Sequence, residues 1–129
     1  MEKLVSKDKL DSLFVLRKAF MRRIEDKKPG TYPVWPVDIT SKKSQQVVRD
    51  LALKGVEEMF EALGHLKNWK PHRDTDKPEV NREEFLEEIV DAFNYFLSML
   101  VLVGVTAEDL YSAYVTKDKK IHKRLNSGY

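Results

Sequence analysis

The stretch NREEFLEEIVDAFNYFLSMLVLV, Asn81 to Val103, decides the fold class. Phe85, Leu86, Ile89, Val90, Phe93, Phe96, Leu97, Leu100 and Val101 recur at three- and four-residue steps and cover most of the girth of a helix. Glu84, Glu87, Glu88, Asp91, Asn94 and Ser98 form one narrow polar strip. A helix this apolar is buried on several sides, so its polar strip must line a cavity or be paired. Asn81-x-x-Glu84 resembles a capping box and starts the helix.

Working outward, the preceding helix is expected over 42–67, with Ser41 as its cap. Val48, Leu51, Ala52, Gly55, Met59, Ala62, Leu63 and Leu66 make its apolar stripe. Glu58 and Glu61 lie at the edge of that stripe, near the packing seam, and Glu57 points further into solvent. Residues three apart on a helix are neighbours, rotated by about 60°. Glu58 and Glu61 therefore point the same way, as do Glu88 and Asp91. If the two helices pack antiparallel, four carboxylates converge. They cannot all stay ionised without a cation, because like charges raise one another's pKa. A hard divalent ion with a preference for oxygen, Mg2+ with Mn2+ as a substitute, answers that need and serves a phosphate-bearing substrate. The competing reading is two solvated helix faces, with Lys54 forming a simple ion pair with Glu58 one turn later.

The remainder of the chain reads as two further helices and two loops. Residues 8–26 carry Leu10, Leu13, Phe14, Met21 and Ile24 at helical spacing, with Arg17 in the same stripe. Arg17 either reaches out to solvent from an edge position or aims its charge into a cleft. Lys27-Lys28-Pro29-Gly30 ends that helix, and 31–40 is a loop in which Trp35 plugs the core or stacks on a ligand. Residues 71–80 are polar, with two prolines and no periodicity. Thr106-x-x-Asp109 caps a last helix, about 106–124, that ends in Lys117, Lys119, Lys120, His122, Lys123 and Arg124. No strand pattern, repeat or low-complexity segment is present. The expectation is one all-α domain over 1–129 with four main helices.

Composition narrows the function. The 129 residues include 23 basic and 21 acidic side chains, for a net charge of +2. That balance argues against bulk binding to nucleic acid. There is no cysteine, so no disulfide, zinc-thiolate site or thiol nucleophile. The first residues lack the apolar core of a signal peptide, and the apolar run from Ala92 to Val103 is too short to span a bilayer. A cytoplasmic protein with no membrane partner is expected.

The spacing Glu58-x-x-Glu61, loop, Glu88-x-x-Asp91 resembles the all-α nucleoside triphosphate pyrophosphohydrolases, which include MazG-like enzymes, dimeric dUTPases and phage-type dCTP pyrophosphatases. Leu110-Tyr111-Ser112-Ala113-Tyr114-Val115-Thr116-Lys117, then His122-Lys123-Arg124 and Gly128-Tyr129, is similar to the tail of the dUTPase and phage dCTPase branch, as is Leu66-Lys67-Asn68-Trp69-Lys70 after the first motif. The resemblance covers about 45–129. Departures are Asp118, where the family has Asn, Arg17, where the branch often has Gln, and Asn94, where it often has His.

The resemblance implies a four-helix MazG-like fold, oligomeric as a homodimer or homotetramer. It implies Mg2+-dependent hydrolysis of a deoxynucleoside triphosphate to the monophosphate and pyrophosphate. It assigns Glu58, Glu61, Glu88 and Asp91 as metal ligands and Lys117, Arg124, Asn94 and Arg17 as substrate contacts. Glu61 is the choice for orienting the attacking water, and Trp69, Trp35 and His65 are weaker candidates for base contact, each otherwise a packing or surface residue. dUTP or dCTP is the branch's ordinary substrate, and dGTP is a candidate given Arg17 and Asn94. Two other classes compete. A non-catalytic helical interaction module would bind no Mg2+. A di-iron carboxylate bundle wants Glu-x-x-His pairs, and neither motif has one.

Overall fold

In a computed structural model, which describes residues 8–128, the chain forms four helices: α1 (Lys9–Lys27), α2 (Lys42–Leu63), α3 (Arg82–Leu102) and α4 (Ala107–Ser127). No strand occurs among the described residues. The all-α class expected from the periodicity is found, and each helix starts where its capping residue stands. Asp8 accepts the Asp11 N–H and Ser41 the Ser44 N–H. Asn81 accepts the Glu84 N–H at 3.1 Å. Thr106 and Asp109 form a reciprocal capping box, each side chain bonded to the other's N–H at 3.0 Å. These caps satisfy N–H groups that have no partner inside the helix.

α2 is shorter than expected. It ends at Leu63, with Gly64 as its C-cap, instead of continuing to 67. Gly64 is a poor helix former, and the next two N–H groups turn back in tighter bonds, His65 to the Ala62 carbonyl and Leu66 to that of Leu63. α4 runs three residues past the expected end.

The chain divides into two compact units, residues 1–37 with 100–129 and residues 38–99. In the first unit α1 packs with α4, and Phe14, Met21, Val101 and Leu102 are buried. Its loop is pinned at several points. Glu25 accepts the N–H groups of Gly30 and Tyr32, Val37 donates to the Leu102 carbonyl at 2.8 Å, and Pro36, which follows a cis peptide bond, lies against Gly104. Gly104 has φ +78°, a conformation that side chains with a Cβ rarely adopt, and so it closes α3. Trp35, expected to plug the core or stack on a ligand, is half-buried, with the Arg22 guanidinium carbon 4.6 Å from its ring centre.

The second unit is built on α2 and α3. Leu51, Gly55, Ala62, Ala92, Leu97 and Ser98 are buried. Gly55 lies so close to α3 that a Cβ there would be 2.9 Å from the Phe96 ring and 3.3 Å from the Ala92 carbonyl oxygen. Glu58, three residues later on α2, meets Glu88 and Asp91, which come four residues and one residue before Ala92 on α3. Moving forward on α2 thus means moving back on α3, so the two helices are antiparallel.

Candidate metal centre

The antiparallel pairing gives the α2–α3 pair two different sides. At about 100° per residue, Glu58 and Glu61 fall on one flank of α2's buried seam, and Leu53, Val56, Phe60 and Leu63 fall on the other. On α3, Glu88 and Asp91 fall on one flank, and Leu86, Val90 and Phe93 on the other. Antiparallel packing brings the acidic flanks together and the apolar flanks together. The apolar residues are exposed, Phe60 at 67%.

On the acidic side, Glu58, Glu88 and Asp91 each place a carboxylate oxygen such that all three oxygens lie within 4.8 Å of one another. Glu61 reaches in among them, interacting with the carboxylates of both Glu58 and Glu88. Glu58 and Glu88 are half-buried, while Glu61 and Asp91 are exposed. Loss of hydration raises the pKa of Glu58, and the charges of Glu61 and Asp91 raise it further. Glu88 is raised by loss of hydration and by Glu61, and His65 draws it partly back. Three oxygens at this separation, in a set of groups that resist ionising together, fit a hard divalent cation. The donor set is all oxygen, without cysteine, which suits Mg2+ or Mn2+ better than a thiophilic ion.

The ion pair that could have neutralised Glu58 does not form. Lys54 instead bonds Asp50, one turn back, at 3.0 Å. That contact, with nearby Tyr95 and Glu57, holds the Lys54 ammonium above the usual lysine range.

The other sequence-derived residues stand in varied surroundings. Asn94 is half-buried on α3, one turn beyond Asp91. Trp69 is 68% exposed in the segment after α2, with Lys70 Nζ 5.4 Å from its ring centre. The same segment is tied across its base by Lys77 N–H donating to Asn68 Oδ1 at 3.2 Å. Arg17 is half-buried on α1, its guanidinium carbon 5.2 Å from the Phe20 ring centre. Lys117 and Arg124 are exposed on α4. Arg17, Lys117 and Arg124 belong to the first unit and the carboxylates to the second.

Two residues gain importance that the spacing alone did not reveal. His65 was readable only as a weak candidate for base contact, yet it draws the Glu88 pKa partly back. Gly55 was readable only as one position of an apolar stripe. Its missing side chain is what lets α2 approach α3.

Similarity to known proteins points the same way. The chain is 33% identical over 76 residues to a dCTP pyrophosphatase of Enterobacteria phage T4, a match covering 54% of this chain and 44% of that protein. It therefore spans less than half of that relative's length. It is 27% identical over 107 residues to proteins named phosphoribosyl-ATP pyrophosphatase in Saccharolobus islandicus (strain M.16.27) and Saccharolobus solfataricus, covering 83% of this chain and 92% of each relative. No protein-family model and no solved structure matches the chain. The resemblance carried by the two acidic motifs is thus joined by sequence similarity to curated pyrophosphatases of two kinds, on an all-α chain.

Proposed function

We propose that the whole chain, 1–129, is one nucleotide pyrophosphohydrolase domain that splits a deoxynucleoside triphosphate into the monophosphate and pyrophosphate. The observation that carries this reading is the meeting of Glu58, Glu88 and Asp91 within 4.8 Å in a chain similar to named pyrophosphatases. Glu58, Glu61, Glu88 and Asp91 would hold Mg2+, with Mn2+ as a substitute. When bound, the ion neutralises phosphate oxygens and makes a water molecule easier to deprotonate.

The chain's own residues divide the rest of the work. Glu61, exposed beside Glu58 and Glu88, orients a water molecule and accepts its proton. The water oxygen forms a bond to the α-phosphorus, and the bond from that phosphorus to the bridging oxygen breaks. Pyrophosphate leaves with the bridging oxygen, and the hydroxyl stays on the monophosphate. Phosphoryl transfer of this kind depends on positioning and charge more than on covalent chemistry. For Lys117 and Arg124 the resemblance implies a clamp on phosphate oxygens, which their cationic side chains suit. Asn94, one turn beyond Asp91, meets the sugar or base, and Trp69 offers an exposed ring for stacking; for Arg17 a base or sugar contact is what the resemblance implies.

The relatives' names divide between a pyrimidine deoxynucleotide, dCTP, and a purine ribonucleotide, phosphoribosyl-ATP. dCTP or dUTP is the first choice here, from the tail and the Trp69 segment. dGTP and phosphoribosyl-ATP are the purine alternatives. We also read the protein as a cytoplasmic homodimer or homotetramer. Among the described residues no single helix is long and apolar enough to cross a membrane. The exposed stripe of Leu53, Val56, Phe60 and Leu63 beside Leu86, Val90 and Phe93 is a surface that a second copy covers with its own, leaving both acidic flanks open.

The deciding experiment incubates the protein with Mg2+ and a panel of all common dNTPs and NTPs plus phosphoribosyl-ATP, and measures pyrophosphate. Release from one deoxynucleotide class, abolished by EDTA, supports the reading. No release from any substrate, with no binding of Mg2+ or Mn2+ by calorimetry, leaves the non-catalytic interaction module instead.

A further inference from the structure

From the contact between the two helices we infer that Gly55 is a positioning residue, and that its lack of a side chain holds α2 and α3 close enough for the carboxylate frame to select a small divalent cation. This rests on the metal reading above. Gly55 stands three residues before Glu58 on α2, and its contacts on α3 are Phe96 and the carbonyl of Ala92, the residue after Asp91. This contact between the helices therefore lies within one turn of Glu58 on α2 and of Asp91 on α3. An added Cβ would meet Phe96 Cε1 at 2.9 Å, Cζ at 3.0 Å and the Ala92 carbonyl oxygen at 3.3 Å.

The three contacts do not yield equally. The Phe96 ring is the end of a side chain and can swing. The Ala92 oxygen belongs to the helix backbone and moves only if α3 moves. Since Ala92 follows Asp91 directly, a shift of α3 away from α2 at this level carries Asp91 away from Glu58. The frame would widen rather than disappear. Mg2+ demands oxygens at about 2.0–2.1 Å in near-ideal geometry, whereas Ca2+ accepts about 2.3–2.6 Å and irregular arrangements. A widened frame therefore loses affinity for the smaller ion first. Glycine inside a helix is otherwise unfavourable by roughly 0.5–1 kcal/mol relative to alanine, so without the helix contact alanine would be the better residue at this position.

The test measures Mg2+ and Ca2+ binding by titration calorimetry on the full-length wild type, Gly55→Ala and Gly55→Ala/Phe96→Leu, with circular dichroism and thermal melting beside each. In Gly55→Ala, Mg2+ affinity is expected to fall about tenfold, the lower end of what disturbing a ligand's support costs. Ca2+ affinity should change far less, so the Mg2+/Ca2+ preference falls. The double variant removes the yielding ring from the crowded contact but keeps the Ala92 carbonyl against the new Cβ, so its preference should stay lowered. A role in packing alone would lower the melting temperature and leave the preference unchanged. Wild-type preference in a folded Gly55→Ala protein overturns the inference. If Gly55→Ala does not fold, the double variant decides: a Mg2+/Ca2+ preference lowered by more than about threefold supports positioning through the α3 backbone, and a preference within about threefold of wild type overturns it. Failure of the wild type to bind either ion is a different result, and refutes the metal site itself.

Discussion

Lys54 Nζ lies 3.0 Å from the Asp50 carboxylate, one turn back along α2, and so leaves Glu58, one turn ahead, without that cation. Glu58 faces Glu61, Glu88 and Asp91 instead, and its pKa rises. An i,i+4 lysine can pair in either direction along a helix, and the direction chosen here keeps the carboxylates in want of a cation. Lys54→Met should therefore change pyrophosphate release by no more than about threefold and stability by less than about 1 kcal/mol, the range of exposed ion pairs. A loss of turnover comparable to that of a carboxylate variant would mean that Lys54 serves the site directly.

Glu61 and Asp91 give the most direct check on the frame. Glu61→Gln keeps the size of the side chain and removes its capacity to accept a proton. Turnover should fall by about 10²–10⁴-fold, as for the loss of a general base. Asp91→Ala should weaken Mg2+ binding and abolish measurable turnover. Both residues are exposed, so helicity and melting temperature should stay near wild type. Retained activity in both variants would refute the site.

The raised pKa values of Glu58 and Glu88 make a signed prediction about pH. A carboxyl group whose pKa is higher folded than unfolded opposes folding when ionised, and the opposition disappears as pH falls through the folded value. The metal-free protein should therefore melt higher as pH is lowered from neutral into the raised range of these two groups. Asp38, Asp109 and Glu25 act in the opposite sense. Hydrogen bonds from Thr40, from Thr106, and from Gly30 with Tyr32 hold their values low. Their contribution is full above the unfolded carboxylate value and is lost as pH falls through the lower folded values. Melting temperature against pH in EDTA should thus pass through a maximum on the acid side. Saturating Mg2+ should raise the neutral side, since protons and metal compete for the same oxygens. A metal-free curve that falls steadily on leaving neutral pH would contradict the mutual repulsion.

Phe60 tests the apolar side of the α2–α3 pair. It is 67% exposed in the single chain, in line with Leu53, Val56 and Leu63. Phe60→Arg should lower the molar mass measured by light scattering to that of one chain and leave circular dichroism unchanged. A wild type that is already monomeric would show that this face has another use.

Thr106 tests the local reading of the caps. Its side chain accepts the Asp109 N–H and completes a reciprocal box. Thr106→Ala should lower stability by about 1 kcal/mol, seen in chemical denaturation, with no change in Mg2+ affinity.

Local features of the chain were legible in advance because they depend on neighbours in sequence. Ser41, Asn81 and Thr106 start helices because an N–H two or three residues on lacks a partner, which can be read without knowing the fold. The spacing of Phe85, Ile89, Phe93 and Phe96 similarly specifies a helix, and three-residue spacing puts Glu88 beside Asp91. Where α2 stops was less legible, since Gly64 competes with Leu66 and Lys67, both capable of continuing the helix. What the sequence could not decide was which partner each side chain takes. Lys54 had Asp50 and Glu58 at equal separation, and Arg17 had either solvent or a cleft before it lay over Phe20. Whether two acidic pairs on separate helices would meet depended on the register of α2 against α3. That register comes from a contact between residues some 40 positions apart, Gly55 with Ala92 and Phe96. Periodicity along one helix carries no information about its height against another, and only packing supplies it.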